Sequence, residues 1–134
     1  MNVQFAQHQD DFEIQNHGLM FEKQPFTGSL FREGNENIGE AICQYKNGQK
    51  DGVFKEWYPN GQIKEVSLFR EDEFHGRRIC YWPNGSKRFH VNYINGEMDG
   101  VYEEWDLNGI NKQFKTYYKG KLICVKRNGL TLTA

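Results

Sequence analysis

Four glycines stand at one interval of 24 residues: Gly28, Gly52, Gly76 and Gly100. The same interval carries Asn60-Gly61 onto Asn84-Gly85 and Asn108-Gly109, and Tyr45 onto Phe69, Tyr93 and Tyr117. Three residue classes share the period, which marks an internal repeat with units near 27–50, 51–74, 75–98 and 99–122. A unit this short cannot bury its own apolar surface, so the units must stack on their neighbours. At 134 residues the chain makes one domain, residues 1–134, with 1–26 expected as an N-terminal strand or cap and 123–134 as a C-terminal cap or tail.

One unit, beginning at Asp51, reads as a β-hairpin. Pro59 presets φ at the first central position of its turn, Asn60 tolerates the second, and Gly61 supplies the left-handed residue of a three-residue loop with a bulge. Carried down both strands, that loop sets Trp57 opposite Ile63, Glu56 opposite Lys64, Lys55 opposite Glu65 and Phe54 opposite Val66. A two-residue loop would set Glu56 against Glu65, a like-charge pair, and is rejected for that reason. The same register pairs Ile79 with Phe89, Tyr102 with Phe114 and Glu104 with Lys112. Second turns at Asn47-Gly48 and Asn95-Gly96 link each hairpin to the next. The expected fold is all-β: a single elongated, twisted antiparallel meander of 24-residue hairpins, about nine or ten strands in all, with essentially no helix.

Alternation along the strands sorts the aromatic residues. It puts Trp57, Tyr81 and Trp105 on one face, joined by Tyr45, Phe69, Tyr93 and Tyr117 as buried ladders. The other face then carries Phe54, Tyr58, Leu68, Trp82, Tyr102 and Phe114 among charged neighbours. Aromatics make up 15% of the chain, and their large area per residue suits a thin core.

Charge is nearly balanced at −1, which gives no pointer to nucleic acid or an anionic membrane, but it is unevenly placed. Residues 92–106 hold Glu97, Asp99, Glu103, Glu104 and Asp106 without a Lys or Arg, and 107–134 hold Lys112, Lys115, Lys119, Lys121, Lys126 and Arg127 without an acid. Two readings stand: charges paired across adjacent strands, or a charged docking face. Cys43, Cys80 and Cys124 are odd in number and off the repeat, so they are not a disulfide framework. The first residues lack the basic and apolar regions of a secretory signal, and no apolar run approaches a membrane span. A cytoplasmic location is the expectation.

Pro25-Phe26-Thr27-Gly28, the segment from Tyr45 to Glu65 and that from Tyr93 to Gly109 together resemble the MORN repeat variant, and more narrowly bacterial YwqK-type antitoxins. The resemblance covers about residues 18–122 and implies a binding module, with bacterial variants acting as immunity partners of secreted toxins, many of them nucleases or deaminases. Such a partner works by occluding the toxin and needs no chemistry of its own. Glu71-Asp72 and Asn35 to Asn37 depart from the repeat's turn residues, so longer or bent hairpins are expected there.

No motif suggests catalysis. His8, His17, His75 and His90 lack metal-ligand spacing, and the cysteines form no CxxC pair. His75 reads as a turn residue in the place of Asp51 and Asp99. Glu103 and Glu104 are adjacent on one strand and so face opposite ways, which defeats an acid/base pair. The expectation is therefore a non-enzymatic immunity protein without a cofactor or metal, monomeric when bound to its toxin and with no direct role for nucleic acid or membrane. The alternative is a MORN-like scaffold or a module for anionic lipid surfaces. Tyr58, Trp82 and Tyr102, with Glu104 and Asp106, are the candidate partner-binding residues, because interface anchors are often aromatic with a polar surround.

Overall fold

The computed structural model of the chain describes residues 3–5, 11–15, 18–127 and 130–133, the first and last of these as backbone alone. His8 and His17 lie outside the described residues, as do other parts of the expected terminal caps. The strands are β1 (Val3–Phe5), β2 (Phe12–Gln15), β3 (Gly18–Phe21), β4 (Gln24–Pro25) and β5 (Gly28–Arg32). Then follow β6 (Ala41–Lys46), β7 (Gln49–Trp57), β8 (Ile63–Arg70), β9 (Glu73–Tyr81) and β10 (Lys87–Ile94). The last four are β11 (Glu97–Trp105), β12 (Lys112–Tyr118), β13 (Lys121–Arg127) and β14 (Leu130–Thr133). From β5 to β14 they form one antiparallel meander in sequence order, as the repeat requires. Among the described residues there is no α-helix.

The N-terminal region is more than a cap strand. β1 lies parallel to β5, and β2, β3 and β4 form a separate antiparallel sheet. That small sheet brings Phe12, Phe21 and Phe26 together, with Phe26 buried against Tyr45 at a ring separation of 5.9 Å. It closes the first end of the repeat's aromatic row.

At one end of the strands, every hairpin link is a two-residue turn with both residues at positive φ: Asn47-Gly48, Glu71-Asp72, Asn95-Gly96 and Lys119-Gly120. Contrary to expectation, Glu71-Asp72 is neither longer nor bent. The Asp72 N–H donates to the Lys50 carbonyl at 2.9 Å, and the Asp72 carboxylate accepts from the Lys50 N–H at 2.7 Å, which holds two non-glycine residues at φ 50 and 67. Gly48, Gly96 and Gly120 make the matching backbone bond to Phe26, Phe74 and Met98. Each turn is thereby tied to a residue before the hairpin strand that leads into it. His75 lies within β9 and is not itself a turn residue; its Nδ1 accepts the Asn95 N–H at 3.1 Å, the role Thr27 plays for Asn47 at 2.9 Å. The Asn35 segment is a longer loop, as expected, closed by the Asn35 N–H on the Ile38 carbonyl at 2.7 Å.

At the other end the Pro59-Asn60-Gly61 loop forms as read, with Gly61 donating to the Tyr58 carbonyl at 2.9 Å and Gly61 at φ 88. The strand register beyond it does not follow. Trp57 faces Ile63, but a bulge at Lys64 then sets Glu56 opposite Glu65, Lys55 opposite Val66 and Phe54 opposite Ser67. The rejected like-charge pair is therefore present. It is tolerated because cations meet both carboxylates: Arg32 and the bulged Lys64 reach Glu56 at 2.9 and 3.6 Å, and Arg78 reaches Glu65 at 2.6 Å. A bulge at Arg88 repeats the shift, so Phe89 faces Cys80 and Ile79 faces His90. In the fourth hairpin Tyr102 faces Lys115 and Glu104 faces Gln113.

A bulge changes which residues share a face. Tyr45, Phe69, Tyr93 and Tyr117 are separated from Trp57, Tyr81 and Trp105, which lie on the opposite face and are half-buried. The expected common ladder is thus two. On the first face each ring is the direct cross-strand partner of a repeat glycine: Gly28 with Tyr45, Gly52 with Phe69, Gly76 with Tyr93 and Gly100 with Tyr117. The buried residues Ala41, Cys43, Ser67, Cys80, Val91 and Tyr93 belong to this glycine face. Rings cover this face: Phe26 lies against Tyr45 at its first end, and further along the aromatic side chains lie against one another. Phe54, Phe69, Phe74 and Tyr93 run in successive ring contacts, and the Arg78 guanidinium lies 4.6 Å over Phe74. The other expected set divides as well: Phe54 and Tyr102 are on the glycine face, Leu68 and Phe114 on the tryptophan face, and Tyr58 and Trp82 in loops.

The repeat glycines are not equivalent. Gly52 has φ +104 and a Cβ there would collide with the Gln44 amide oxygen, which accepts the Val53 N–H at 2.7 Å. Gly100 has φ +82 with open space where a Cβ would lie. We expect Gly52→Ala to cost about 1–3 kcal/mol in urea unfolding and Gly100→Ala distinctly less. Equal losses at the two sites would contradict this account.

Candidate functional site

The loop ends of the second, third and fourth hairpins form a series in which one repeat is stitched to the next. The Tyr58 hydroxyl donates to the Tyr81 carbonyl at 2.7 Å, and one period later Trp82 Nε1 donates to the Trp105 carbonyl at 3.2 Å. Asn60 and Asn84 donate likewise to the carbonyls of Pro83 and Leu107, at 2.9 and 3.2 Å. The bulged cation of each hairpin lies over the same aromatic residue, Lys64 over Tyr58 at 5.7 Å and Arg88 over Trp82 at 4.7 Å. Tyr58 and Trp82 are thus half-buried staples with a polar end and a ring face already engaged.

Asp106 occupies the next place in the series and breaks it. Its carboxylate turns back on its own loop, accepting from Asn111 Nδ2 at 2.6 Å and from the Ile110 N–H at 3.1 Å. The loop has also grown. In the second and third hairpins an extra residue is absorbed as a strand bulge, whereas β11 and β12 pair without one from Gly100 opposite Tyr117 to Trp105 opposite Lys112. The extra residue sits in the loop, which runs from Asp106 to Asn111. Leu107 replaces the proline of the sister loops and Ile110 replaces Gln62 and Ser86, and these two apolar side chains are 54% and 76% exposed.

Beside this tip lies a groove of about 430 Å³ lined by Glu104, Trp105, Asp106, Lys112, Gln113 and Arg127, with Asn111. Its charges are mostly paired. Lys112 reaches Glu103 at 3.0 Å and Lys115 reaches Glu104 at 3.5 Å, the cross-strand pairing that the two charge blocks allowed. Tyr102 donates to Glu104 at 3.0 Å while its ring stacks on Phe89 at 5.4 Å; burial, then this carboxylate, pushes the Tyr102 hydroxyl pKa up. Glu103, on the tryptophan face, also meets His90 at 3.4 Å. Burial opposes its charge, but the hydrogen bonds and charges of Lys112 and His90 outweigh that and hold its pKa below the usual 4.5.

Of the five sequence candidates, the structure brings Glu104 and Asp106 into one groove and ties Trp82 to it through the Trp105 carbonyl. Tyr102 adjoins through Glu104, on the glycine face, and Tyr58 lies one repeat away. Leu107 and Ile110 were missed. The signal was present, since only by aligning the loops at the 24-residue interval do Pro59, Pro83 and Leu107 fall together, as do Gln62, Ser86 and Ile110.

Among the described residues no group of three or more His, Cys, Asp or Glu side chains is placed to hold a metal ion, and no helix is long and apolar enough to cross a membrane. Cys43 and Cys80 are buried free thiols; burial raises both pKa values, with Glu65 adding to the rise at Cys80 to about 11. Such thiols are poor nucleophiles near neutral pH. Residues 50–71 and 74–95 match the MORN repeat variant, so two of the hairpin units are similar to that repeat. No curated protein gives a significant match to the chain.

Two outcomes test the site's wiring. Trp82→Phe keeps the ring but removes the Nε1 donor, and should cost about 0.5–1.5 kcal/mol in denaturant unfolding, with Trp82→Ala costing more. A neutral Trp82→Phe would mean that the bond to the Trp105 carbonyl contributes nothing. For Glu103 the folded pKa is lowered, so its contribution is complete above the unfolded value and is lost as pH falls through the folded one. Glu103→Gln should therefore lower stability at neutral pH and flatten its decline below about pH 4.5, where wild type and variant should converge.

Proposed function

We propose that this protein is a binding module that acts by covering a partner protein, and specifically that it is an immunity protein which occludes a secreted bacterial toxin domain such as a nuclease or deaminase. The observation that carries the reading is the fourth hairpin: a loop enlarged by one residue, tipped with exposed Leu107 and Ile110, beside a charged groove and mounted on a hydrogen-bonded ladder of repeats. Exposed apolar side chains ringed by polar groups on a rigid support are the make-up of an interface anchor. The two MORN repeat matches fit a binding role without specifying the partner. In this reading the protein is cytoplasmic, works without a cofactor or catalysis, and binds as a monomer.

The scaffold or anionic-lipid alternative draws on the basic strands after residue 107. It is weakened by the engagement of Lys112 and Lys115 with Glu103 and Glu104, which leaves fewer cations for a headgroup surface.

The experiment is coexpression with a candidate toxin domain, sought first in the adjacent gene, followed by copurification and titration. Leu107→Asp combined with Ile110→Asp should weaken the complex by about 2 kcal/mol or more and remove protection of the cell, with the melting temperature little changed because both side chains are exposed. Undiminished affinity in that variant would move the interface elsewhere; binding to anionic vesicles without any toxin partner would favour the alternative.

A further inference from the structure

Residues 50–115 hold ten Lys and Arg residues. Seven of them are engaged: Lys64, Arg78, Lys112 and Lys115 by carboxylates, Lys50 and Arg88 by aromatic rings, and Arg70 by the Asn95 amide. Lys55, Arg77 and Lys87 have no such partner among the described residues, and all three are exposed on the tryptophan face. Two of these free cations, Arg77 and Lys87, join His90 and Asn92 around a shallow pocket of about 280 Å³, whose apolar part is Ile79 and Val101.

The pocket belongs to the third unit, and the period shows what its residues replace. At the 24-residue interval Arg77 stands where Val53 and Val101 do, His90 where Val66 and Phe114 do, and Asn92 where Leu68 and Thr116 do. Lys87, opposite Tyr81, holds the place that Ile63 holds opposite Trp57. The fourth unit also has a lysine there, Lys112 opposite Trp105, but that one is bound to Glu103. Three basic side chains thus occupy apolar places in a single unit, while Leu68 on β8 and Val101 on β11 keep exposed apolar surface on either side. The acids that face them are Glu103, opposite His90 and held by His90 and Lys112, and Asp99, opposite Asn92. Neither forms an ion pair with Arg77 or Lys87, so nothing among the described residues uses those two charges.

We infer that this pocket receives an aspartate or glutamate side chain of the partner protein, its carboxylate met by Arg77 and Lys87 and its aliphatic stem by Ile79 and Val101. A guanidinium offers a fork of donors that matches a carboxylate, and an ammonium adds a compact second charge. The pocket is continuous with the candidate groove: His90 packs edge-on against Trp105 at 5.5 Å, and Trp105 lines that groove. A partner seated on Leu107 and Ile110 therefore has this pocket beside it. A nucleic-acid strand is a poorer occupant, because it stacks its bases on open rings, whereas Lys112 already lies over Trp105 and Phe114 at 4.9 and 4.5 Å. This inference rests on the binding-module reading and names the charge that the partner presents.

The test uses the full chain, labelled for NMR, and four probes: a blocked peptide of about six residues alternating Leu with Glu, its Leu and Lys counterpart, inorganic phosphate, and a short oligothymidylate. The acidic peptide should shift the Nε–H signal of Arg77 and the ring signals of His90, and the basic peptide should leave both unmoved. Arg77→Val combined with Lys87→Ile installs residues that sister units carry, so the melting temperature should stay near wild type. That variant should weaken the acidic peptide by about tenfold or more at low salt, with a smaller effect as salt rises. Arg77→Gln combined with Lys87→Gln should do the same, which separates the loss of charge from any change in packing. Equal binding of both peptides, undiminished acidic-peptide binding in both variants, or shifts confined to other parts of the sheet would overturn the proposal. Tighter binding of phosphate or oligothymidylate at Arg77 would overturn it in favour of a phosphate or nucleic-acid site. Should a toxin domain bind wild type and both variants alike, this inference fails and the function stands. If the acidic peptide binds as described while no toxin domain does, the function fails and the pocket stands.

Discussion

Each repeat glycine is placed opposite an aromatic residue across the strands, and the sheet's interior depends on that pair. Gly28, Gly52, Gly76 and Gly100 sit at positive φ facing Tyr45, Phe69, Tyr93 and Tyr117. What the four share is the positive φ; a Cβ would meet the Gln44 amide at Gly52 and the Leu68 side chain at Gly76, and nothing at Gly100, while each ring lies beside a position that carries no side chain. Rings so placed bring Phe69, Phe74 and Tyr93 into mutual contact and place Cys80, Val91 and Ser67 beneath cover. The long sheet thereby makes most of its own core. That core is thin, and the hydrogen bonds at both strand ends, from Asp72 to Lys50 and from Tyr58 to Tyr81, hold adjacent units together.

The period, the all-β class, the meander order and the loop conformation at Pro59-Asn60-Gly61 were legible because each rests on local chemistry that a single residue type dictates. The faces were not. A bulge of one residue at Lys64 or Arg88 reverses the alternation of everything beyond it, and nothing in the strand composition marks where the extra residue will be absorbed. The argument against placing Glu56 opposite Glu65 was sound for two strands in isolation. It failed because Arg32 and Arg78 come from strands on either side, and a repeat sheet supplies such third partners routinely. Glu71-Asp72 failed in the same direction: its turn looked irregular by composition, yet the bonds to Lys50 hold it in the form that Asn-Gly adopts elsewhere.

The candidate site shows a related division. Tyr58 and Trp82 stood out as large residues near the surface, but their periodic placement is itself the sign of an internal task, since a residue that recurs at each unit is the one best placed to bond the next. Glu104 and Asp106, read as one face with Tyr58 and Trp82, both line the groove, but Glu104 lies on the glycine face and Asp106 in the loop. Leu107 and Ile110 carried no signal by composition alone, because isolated apolar residues in a loop are ordinary. They become informative only against the two sister loops, where proline and polar residues hold the same places.

In a stacked repeat, departures from the period therefore separate two kinds of residue. A unit within the array must preserve whatever bonds its neighbours, so variation there is limited to positions that third partners can compensate, as at Glu71-Asp72. The fourth hairpin departs from that pattern. Asp106 has no aromatic staple to supply, and its carboxylate closes its own loop instead; the residue that earlier units spend on a bulge is free to lengthen that loop. Towards the same end the ring row reaches Tyr117 without the phenylalanine cluster that closes it at Phe26, and the strands become wholly basic. Loop enlargement and the exposed apolar tip fall together in this hairpin, where the loop-end bonds that join one unit to the next are missing. In the reading proposed above, that hairpin is where side chains can be chosen for a partner without cost to the array.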